Sequence, residues 1–310
     1  RQADAIIATT QASTQRVSQR ASVARSSAWL TGSPDGGPKL PALVSRCIYN
    51  GFDPADFAPQ ANHQTSSPAA AAHPTPTADR NETVPAAADD RLRLVYTGTL
   101  WNLTSIEPVV AALEQLAQDA PRLAGQIELI AVGRKTPEQL AIINRLERTA
   151  VQLKKMDYLP HARAIDWMRS ADALLLLLSD VPGADRVAPA KLFEYLALER
   201  PLLAVLPAGE TARIVGQFDP TGHFLPGDVS GIARWLQSAV QQKLSRVGNS
   251  PGLFDPPQAR PSAAAFTRRE LTRQLADLFD GLTAAQTGAD RSENVLPERS
   301  HGPTQRGASC

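Results

Sequence analysis

The sequence predicts an α/β fold: one doubly wound, Rossmann-like parallel-sheet domain with a partial second domain. Three observations carry this. Between residues 91 and 245, short apolar runs alternate with amphipathic helical patterns, the signature of βα units and a parallel sheet. One run, Ala173 to Leu178, is so uniformly apolar that it belongs in the middle of the sheet, covered on both faces. Residues 59–90 are Pro, Ala, Thr and Ser with almost no large apolar side chain. Such a stretch cannot bury enough surface to offset its chain entropy and reads as a disordered linker or insertion.

The elements follow in order. Ala5 to Ala8 is a short apolar run, read as a buried strand, and Thr10 to Ala24 is a polar, helix-like stretch. A Gly/Pro loop spans Thr31 to Pro41. Leu43 to Tyr49 is the next strand, stopped by the turn pair Asn50-Gly51. Leu92 to Tyr96 opens the sheet domain and ends in Thr97-Gly98-Thr99. Thr104-Ser105-Ile106-Glu107 has the spacing of a capping box, opening a helix with Ile106, Val109, Val110, Leu113 and Leu116 on its buried face. Ile127 to Val132 is a strand ended by Gly133. Thr136-Pro137 starts a helix whose stripe is Leu140, Ile143 and Leu146. Val151 to Leu153 is a short strand, and Ala162, Ile165 and Met168 mark a short helix. Helices at Lys191 to Leu198 and Gly209 to Val215 alternate with strands at Leu202 to Leu206 and Phe224-Leu225. Val229, Ile232, Trp235, Leu236 and Val240 line an amphipathic helix. After a Pro-rich loop, Ala263 to Leu282 is one more helix, with Phe266, Leu271, Leu275, Leu278 and Phe279 on its apolar side.

Composition narrows the function. The chain has 310 residues, 43% of them hydrophobic and 20% charged, so a buried core is feasible. Lys plus Arg is 32 against 31 for Asp plus Glu, a balance that gives no chain-wide drive toward nucleic acid. No apolar run has the length of a membrane span. With 2 cysteines, Cys47 and Cys310, a disulfide framework or a cysteine zinc site is not expected, and a reducing, cytoplasmic compartment fits. His63, His73 and His301 form no ligand cluster, so no metal site is expected, and Cys47 reads as core. The start at Arg1 reads as the middle of a domain. An N-terminal part of the natural protein is expected to be missing, with a processed start as the alternative.

In an open α/β sheet, ligands bind at the carboxyl ends of the strands. Gly98-Thr99 follows the first strand of the domain; its backbone could approach an anion closely, or be a tight turn and no more. There is no G-x-G-x-x-G and no Walker A motif. The richest segment is Pro189 to Pro201, PAKLFEYLALERP. It places a helix start at the binding edge, where the terminus carries partial positive charge and Lys191 a full one. Glu194 lies one turn deeper on the same face. Lys191 could meet phosphate oxygens while Glu194 accepts hydrogen bonds from ribose hydroxyls; a surface Lys–Glu pair is the plainer alternative. His161 could touch a base or be an exposed residue at a helix start, and Trp101 could shelter a ligand or simply pack. Arg268, Arg269 and Arg273 could favour an anionic lipid surface, hence a peripheral membrane contact, or form a solvated face.

Three segments carry a resemblance: YTGTLW (Tyr96 to Trp101), YLPHARAIDWMRSADALLLLL (Tyr158 to Leu178) and PAKLFEYLALERPLLAVLP (Pro189 to Pro207). Residues 91–245 resemble the C-terminal, donor-binding domain of GT-B glycosyltransferases of the family 4-like group. IYNGFDPADF (Ile48 to Phe57) resembles the end of the N-terminal domain of that fold, and Thr267 to Leu282 its closing helix. The resemblance implies residues 1–58 as the remnant of an acceptor-side domain, 91–245 as the nucleotide-sugar donor domain, 246–283 as a loop and helix returning to the N-terminal side, and 284–310 as a disordered tail. It implies sugar transfer from a nucleotide-diphosphate donor to an acceptor hydroxyl, with retention and with no cofactor. Glu194 takes the place of the family's ribose-binding glutamate. The partner glutamate, which contacts the donor sugar, is replaced here by Arg186. Thr99 and Ser105 stand near the places of an Arg and a Lys that hold the diphosphate, which leaves that role, and the catalytic one, to Lys191. Gly133 resembles the point where the base lies against the backbone. Two rivals share these residues: a degenerate, non-catalytic nucleotide-binding or scaffold module, and a nucleotide-sugar epimerase of the same fold.

Overall fold

The computed structural model describes residues 5–30, 43–58, 91–245 and 261–293. The linker reading of 59–90, the loops at 31–41 and 246–260, His63, His73 and His301 lie outside the described residues.

A six-stranded parallel sheet is built from β3 (Leu92–Thr97), β4 (Ile127–Val132), β5 (Gln152–Met156), β6 (Ala173–Leu177), β7 (Leu202–Val205) and β8 (His223–Phe224), in the order β5-β4-β3-β6-β7-β8. This is a doubly wound order, and the winding reverses between β3 and β6. Every residue of β3, β6 and β7 is buried, as their apolar runs require.

Two apolar layers flank the sheet. On one face α2 (Glu107–Asp119), α3 (Pro121–Ala124), α4 (Pro137–Asn144) and α8 (Val229–Ser245) close over Leu94, Leu129, Leu175 and Leu203. On the other, α5 (His161–Arg169), α6 (Ala190–Ala197) and α7 (Glu210–Phe218) close over Val95, Ile130, Leu174, Leu176 and Ala204. At the amino ends of the strands, the Asp172 carboxylate accepts from the Arg93 N–H at 2.7 Å and pairs with Lys243, while Arg93 pairs with Glu128.

Upstream, β1 (Ala5–Ala8) and β2 (Val44–Cys47) pair in parallel, with α1 (Gln11–Leu30) between them in the chain. Their residues are half-buried at best, and Ile7 is 43% exposed. Residues 48–58 then run across the second layer of the main sheet. Tyr49 meets Phe193 and Phe266 with ring centroids 5.9 and 5.7 Å apart, and Phe266 meets Phe193 at 4.8 Å. The Phe52 N–H donates to the Phe266 carbonyl and the Arg268 N–H to the Phe52 carbonyl, so the last helix, α9 (Arg268–Glu293), is tied to this segment by backbone.

Several local expectations change. The Thr104–Glu107 capping box does not form: the helix begins at Glu107, and the Thr104 hydroxyl donates to the Thr99 carbonyl instead. The Glu107 carboxylate, free of the cap, takes Arg145. In α4 Leu140 is exposed and Gln139 is buried, because the Gln139 Oε1 accepts the orphan N–H of Ile106 at 2.9 Å. In α5 Trp167 packs inward and Ala162 is exposed. Phe266 sits in a 3₁₀ turn ahead of the last helix, and Phe279 is exposed. That helix continues to Glu293, so the tail expected from 284 is helical over its first residues; 294–310 lie outside the described residues.

Candidate functional site

The carboxyl ends of β3, β4 and β6 and the start of α6 converge where the sheet winding reverses. β3 ends in Thr97-Gly98 and β4 in Val132-Gly133, with φ of 125° at Gly98 and 119° at Gly133. Both values lie in the region that side chains avoid. A Cβ on Gly133 would stand 2.2 Å from the Gly98 carbonyl oxygen, so the two strand ends lie backbone against backbone. The glycine requirement at Gly133 is thus met by the protein's own chain. The Gly98 N–H is likewise spoken for, donating to the Val132 carbonyl at 2.9 Å. The N–H of exposed Thr99 has no acceptor among the described residues.

α6 is held against β3 by Tyr195. Its buried hydroxyl accepts from the Thr97 N–H at 3.0 Å and shares a hydrogen with the Thr97 hydroxyl at 3.1 Å; burial pushes the phenol up to about 12. This fixes the first turn of α6, whose Ala190 and Lys191 N–H groups find no acceptor among the described residues. Unpaired N–H groups at a helix start form a partial positive charge.

Lys191 and Glu194 do not bond each other. The Lys191 ammonium lies 4.2 Å above the Tyr96 ring and donates to the Tyr96 hydroxyl at 2.8 Å, and that hydroxyl donates on to the Thr99 carbonyl at 2.8 Å. A Cβ on Gly98 would stand 2.6 Å from Nζ, so Gly98 leaves the space in which the amine lies. Desolvation lowers the amine's pKa from its ordinary 10.5 to about 8, against a smaller upward pull from Glu194. Glu194 turns the other way, its Oε1 3.0 Å from Nε2 of His161, the first residue of α5. His161 Nδ1 in turn faces Asp56 at 3.9 Å.

The sequence reading undervalued His161, whose signal was its place at a helix start after β5. It missed Lys135 altogether: its ammonium donates to the Gly133 and Met156 carbonyls at 2.6 and 2.7 Å and ties the ends of β4 and β5 together. Burial lowers its pKa. Ser105 accepts from Gln139 and donates its N–H to Ser179, stitching the loops after β3 and β6 together. Arg186 lies in the loop between β6 and α6, and Trp101 is 43% exposed. Cys47 is free and half-buried, its thiol pKa raised by burial. Among the described residues, no group of three or more His, Cys, Asp or Glu is placed to hold a metal ion, and no helix is long and apolar enough to cross a membrane.

No protein-family profile matches the chain, and no curated protein matches its sequence. Solved structures do. HepE of Anabaena, crystallised with UDP, superposes with a TM-score of 0.54 at 16% identity, over 90% of this chain and 64% of that one. HepE with UDP and glucose gives 0.51 over the same shares. WaaG, a glycosyltransferase involved in lipopolysaccharide biosynthesis, gives 0.39 at 18% identity, over 50% of this chain and 40% of its own. The chain therefore has an α/β fold of the Rossmann-like, GT-B type, and spans just under two thirds of the HepE chain.

Proposed function

We propose that this chain is the donor-binding part of a glycosyltransferase, moving a sugar from a nucleoside-diphosphate sugar to an acceptor hydroxyl with retention. One observation carries the reading. A half-buried lysine, held ready by Tyr96, stands at the open first turn of a helix at the switch point of a doubly wound sheet, with a carboxylate one turn deeper. HepE, of the same fold, was crystallised with UDP, which makes UDP the first nucleotide to try.

In this reading residues 91–245 hold the nucleotide, 1–58 belong to the acceptor side, and 246–283 return to it. The diphosphate lies against the Ala190 and Lys191 N–H groups and the Lys191 ammonium. These meet the negative charge that grows on the departing diphosphate, where a fixed positive environment lowers the barrier. Glu194 leaves His161 and accepts the two ribose hydroxyls. Gly98 and Gly133 bring the ends of β3 and β4 close together beside the nucleotide, and Thr99 offers it an N–H.

The test is calorimetric titration with UDP and uridine. Loss of a hydrogen bond to a charged group costs about 1.5–3 kcal/mol, so Glu194→Ala weakens UDP about 10- to 150-fold. Lys191→Ala reduces the preference for UDP over uridine and leaves uridine binding nearly unchanged. Because the free amine titrates at about 8 and a bound diphosphate raises that value, UDP affinity is greatest below pH 8 and falls as the pH rises through it. Wild-type protein that binds no nucleotide defeats the reading, as does UDP binding undiminished by Glu194→Ala.

A further inference from the structure

A second concave surface adjoins the candidate site through the loop between β6 and α6. It is an open groove of about 670 Å³ between one face of α1 and this loop, lined by Ala12, Gln15, Arg16, Gln19, Arg20, Asp185 and Arg186. Arg16 and Arg20 are four residues apart and so project from the same face of α1. Both are exposed, and neither has a hydrogen bond or ion pair among the described residues.

Arg186 completes the set from the opposite wall. Its carbonyl accepts from the buried Thr10 hydroxyl at 2.9 Å, which pins the loop to the start of α1. Its side-chain Nε is closed to solvent and has no hydrogen-bond partner. It forms an ion pair with the Asp185 carboxylate at 3.7 Å, longer than a hydrogen bond. The Nε is turned into the protein, so it is the rest of the guanidinium that Arg186 offers to the groove. Three guanidinium groups facing one space match planar carboxylate and tetrahedral phosphate oxygens, and Gln15 and Gln19 add donors and acceptors suited to neutral hydroxyls.

We propose that this groove binds an anionic sugar, one bearing a carboxylate or a phosphate ester, with Arg16, Arg20 and Arg186 on the charged group. The anion half of this assignment stands on the arginines alone; the sugar half rests on the glycosyl-transfer reading.

The experiment titrates the protein with glucose 6-phosphate, glucuronate, glucose and inorganic phosphate, and in parallel with UDP. Two variants are compared with the wild type: Arg16→Gln/Arg20→Gln, on exposed positions of α1, and Arg186→Gln. Both charged sugars are expected to bind and glucose is not. The double variant should lose at least about tenfold in affinity for them while its UDP affinity stays unchanged, and Arg186→Gln should lose a similar factor. The proposal is overturned if neither charged sugar binds, if glucose binds as well as they do, if the double variant binds them undiminished, or if they compete with UDP. Inorganic phosphate binding as tightly as glucose 6-phosphate removes the sugar half and leaves an anion site. Charged sugars that bind where UDP does not refute the nucleotide reading and keep the groove.

Discussion

The six-stranded sheet and the two-stranded sheet are both parallel and both built by βα units, yet they are held together differently. In β6 all five residues are buried, and each face of the strand meets its own apolar layer. In β1 no residue is fully buried. Most of the side chains that cover the first sheet lie within residues 91–245, with Phe52 joining its second layer. The N-terminal segment instead leans on that body through the Tyr49 and Phe52 rings and side-chain bonds such as Thr10 to Arg186 and Arg213 to Tyr49, while backbone bonds tie Phe52 to Phe266 ahead of the last helix and to Arg268 at its start. A candidate site set on the first sheet is therefore anchored in the more deeply buried part of the molecule. Groups from the second region, Asp56 beside His161 and the α1 face of the arginine groove, arrive on the more weakly held part.

The largest expected contrast is in the cores. Leu175→Ala in β6 should cost about 2–5 kcal/mol in a denaturant melt, and Ile7→Ala in β1 about 0.5 kcal/mol or less. Equal costs would mean that the two sheets share one core. Next comes Gly133→Ala, which must carry a side chain at φ 119° into the Gly98 carbonyl. The conformational strain alone is about 1–3 kcal/mol, and the melting temperature should fall accordingly. Phe266→Ala should act on the joint and spare the sheet. Hydrogen exchange at the Phe52 amide should speed up about tenfold or more while the Leu94 amide keeps its protection. Uniform acceleration would show a single cooperative unit.

The smallest effect has the opposite sign. Lys191→Met removes a desolvated ammonium and should raise stability at pH 7 by on the order of 1 kcal/mol. Between about 8, where the folded-state amine loses its proton, and 10.5, its ordinary value, the unfolded wild-type chain binds more protons than the folded one. Wild-type stability gains over that window, so the advantage of the variant should shrink from pH 8 to 10.5. Melting curves of both proteins across that range measure it, and a constant difference would place Lys191 in water.

Most strands of the main sheet were legible because each is a short apolar run closed by a turn signal; Ile127 to Val132 matches residue for residue. The misreadings have a common cause. Thr104, Gln139 and Phe266 each satisfy a partner that local sequence cannot reveal: the Thr99 carbonyl, the Ile106 N–H and the rings of Phe193 and Tyr49. The same holds at the site. The one-turn spacing of Lys191 and Glu194 correctly put both on one helix. Their actual partners, Tyr96 and His161, come from another strand and another helix, so the spacing could not foretell that the two would part.

The room that Gly98 leaves for Lys191 also has a consequence for descent. A methyl group at position 98 would stand 2.6 Å from the amine, so glycine there serves both its own backbone and a side chain far away in the sequence. A lineage that acquires any side chain at 98 must redirect the amine of residue 191, and one that gives up the lysine relieves only that crowding, because the backbone at φ 125° still disfavours a side chain. Among sequences descended from this one, glycine at 98 should be found wherever lysine is kept at 191, and should outlast the lysine where that is lost.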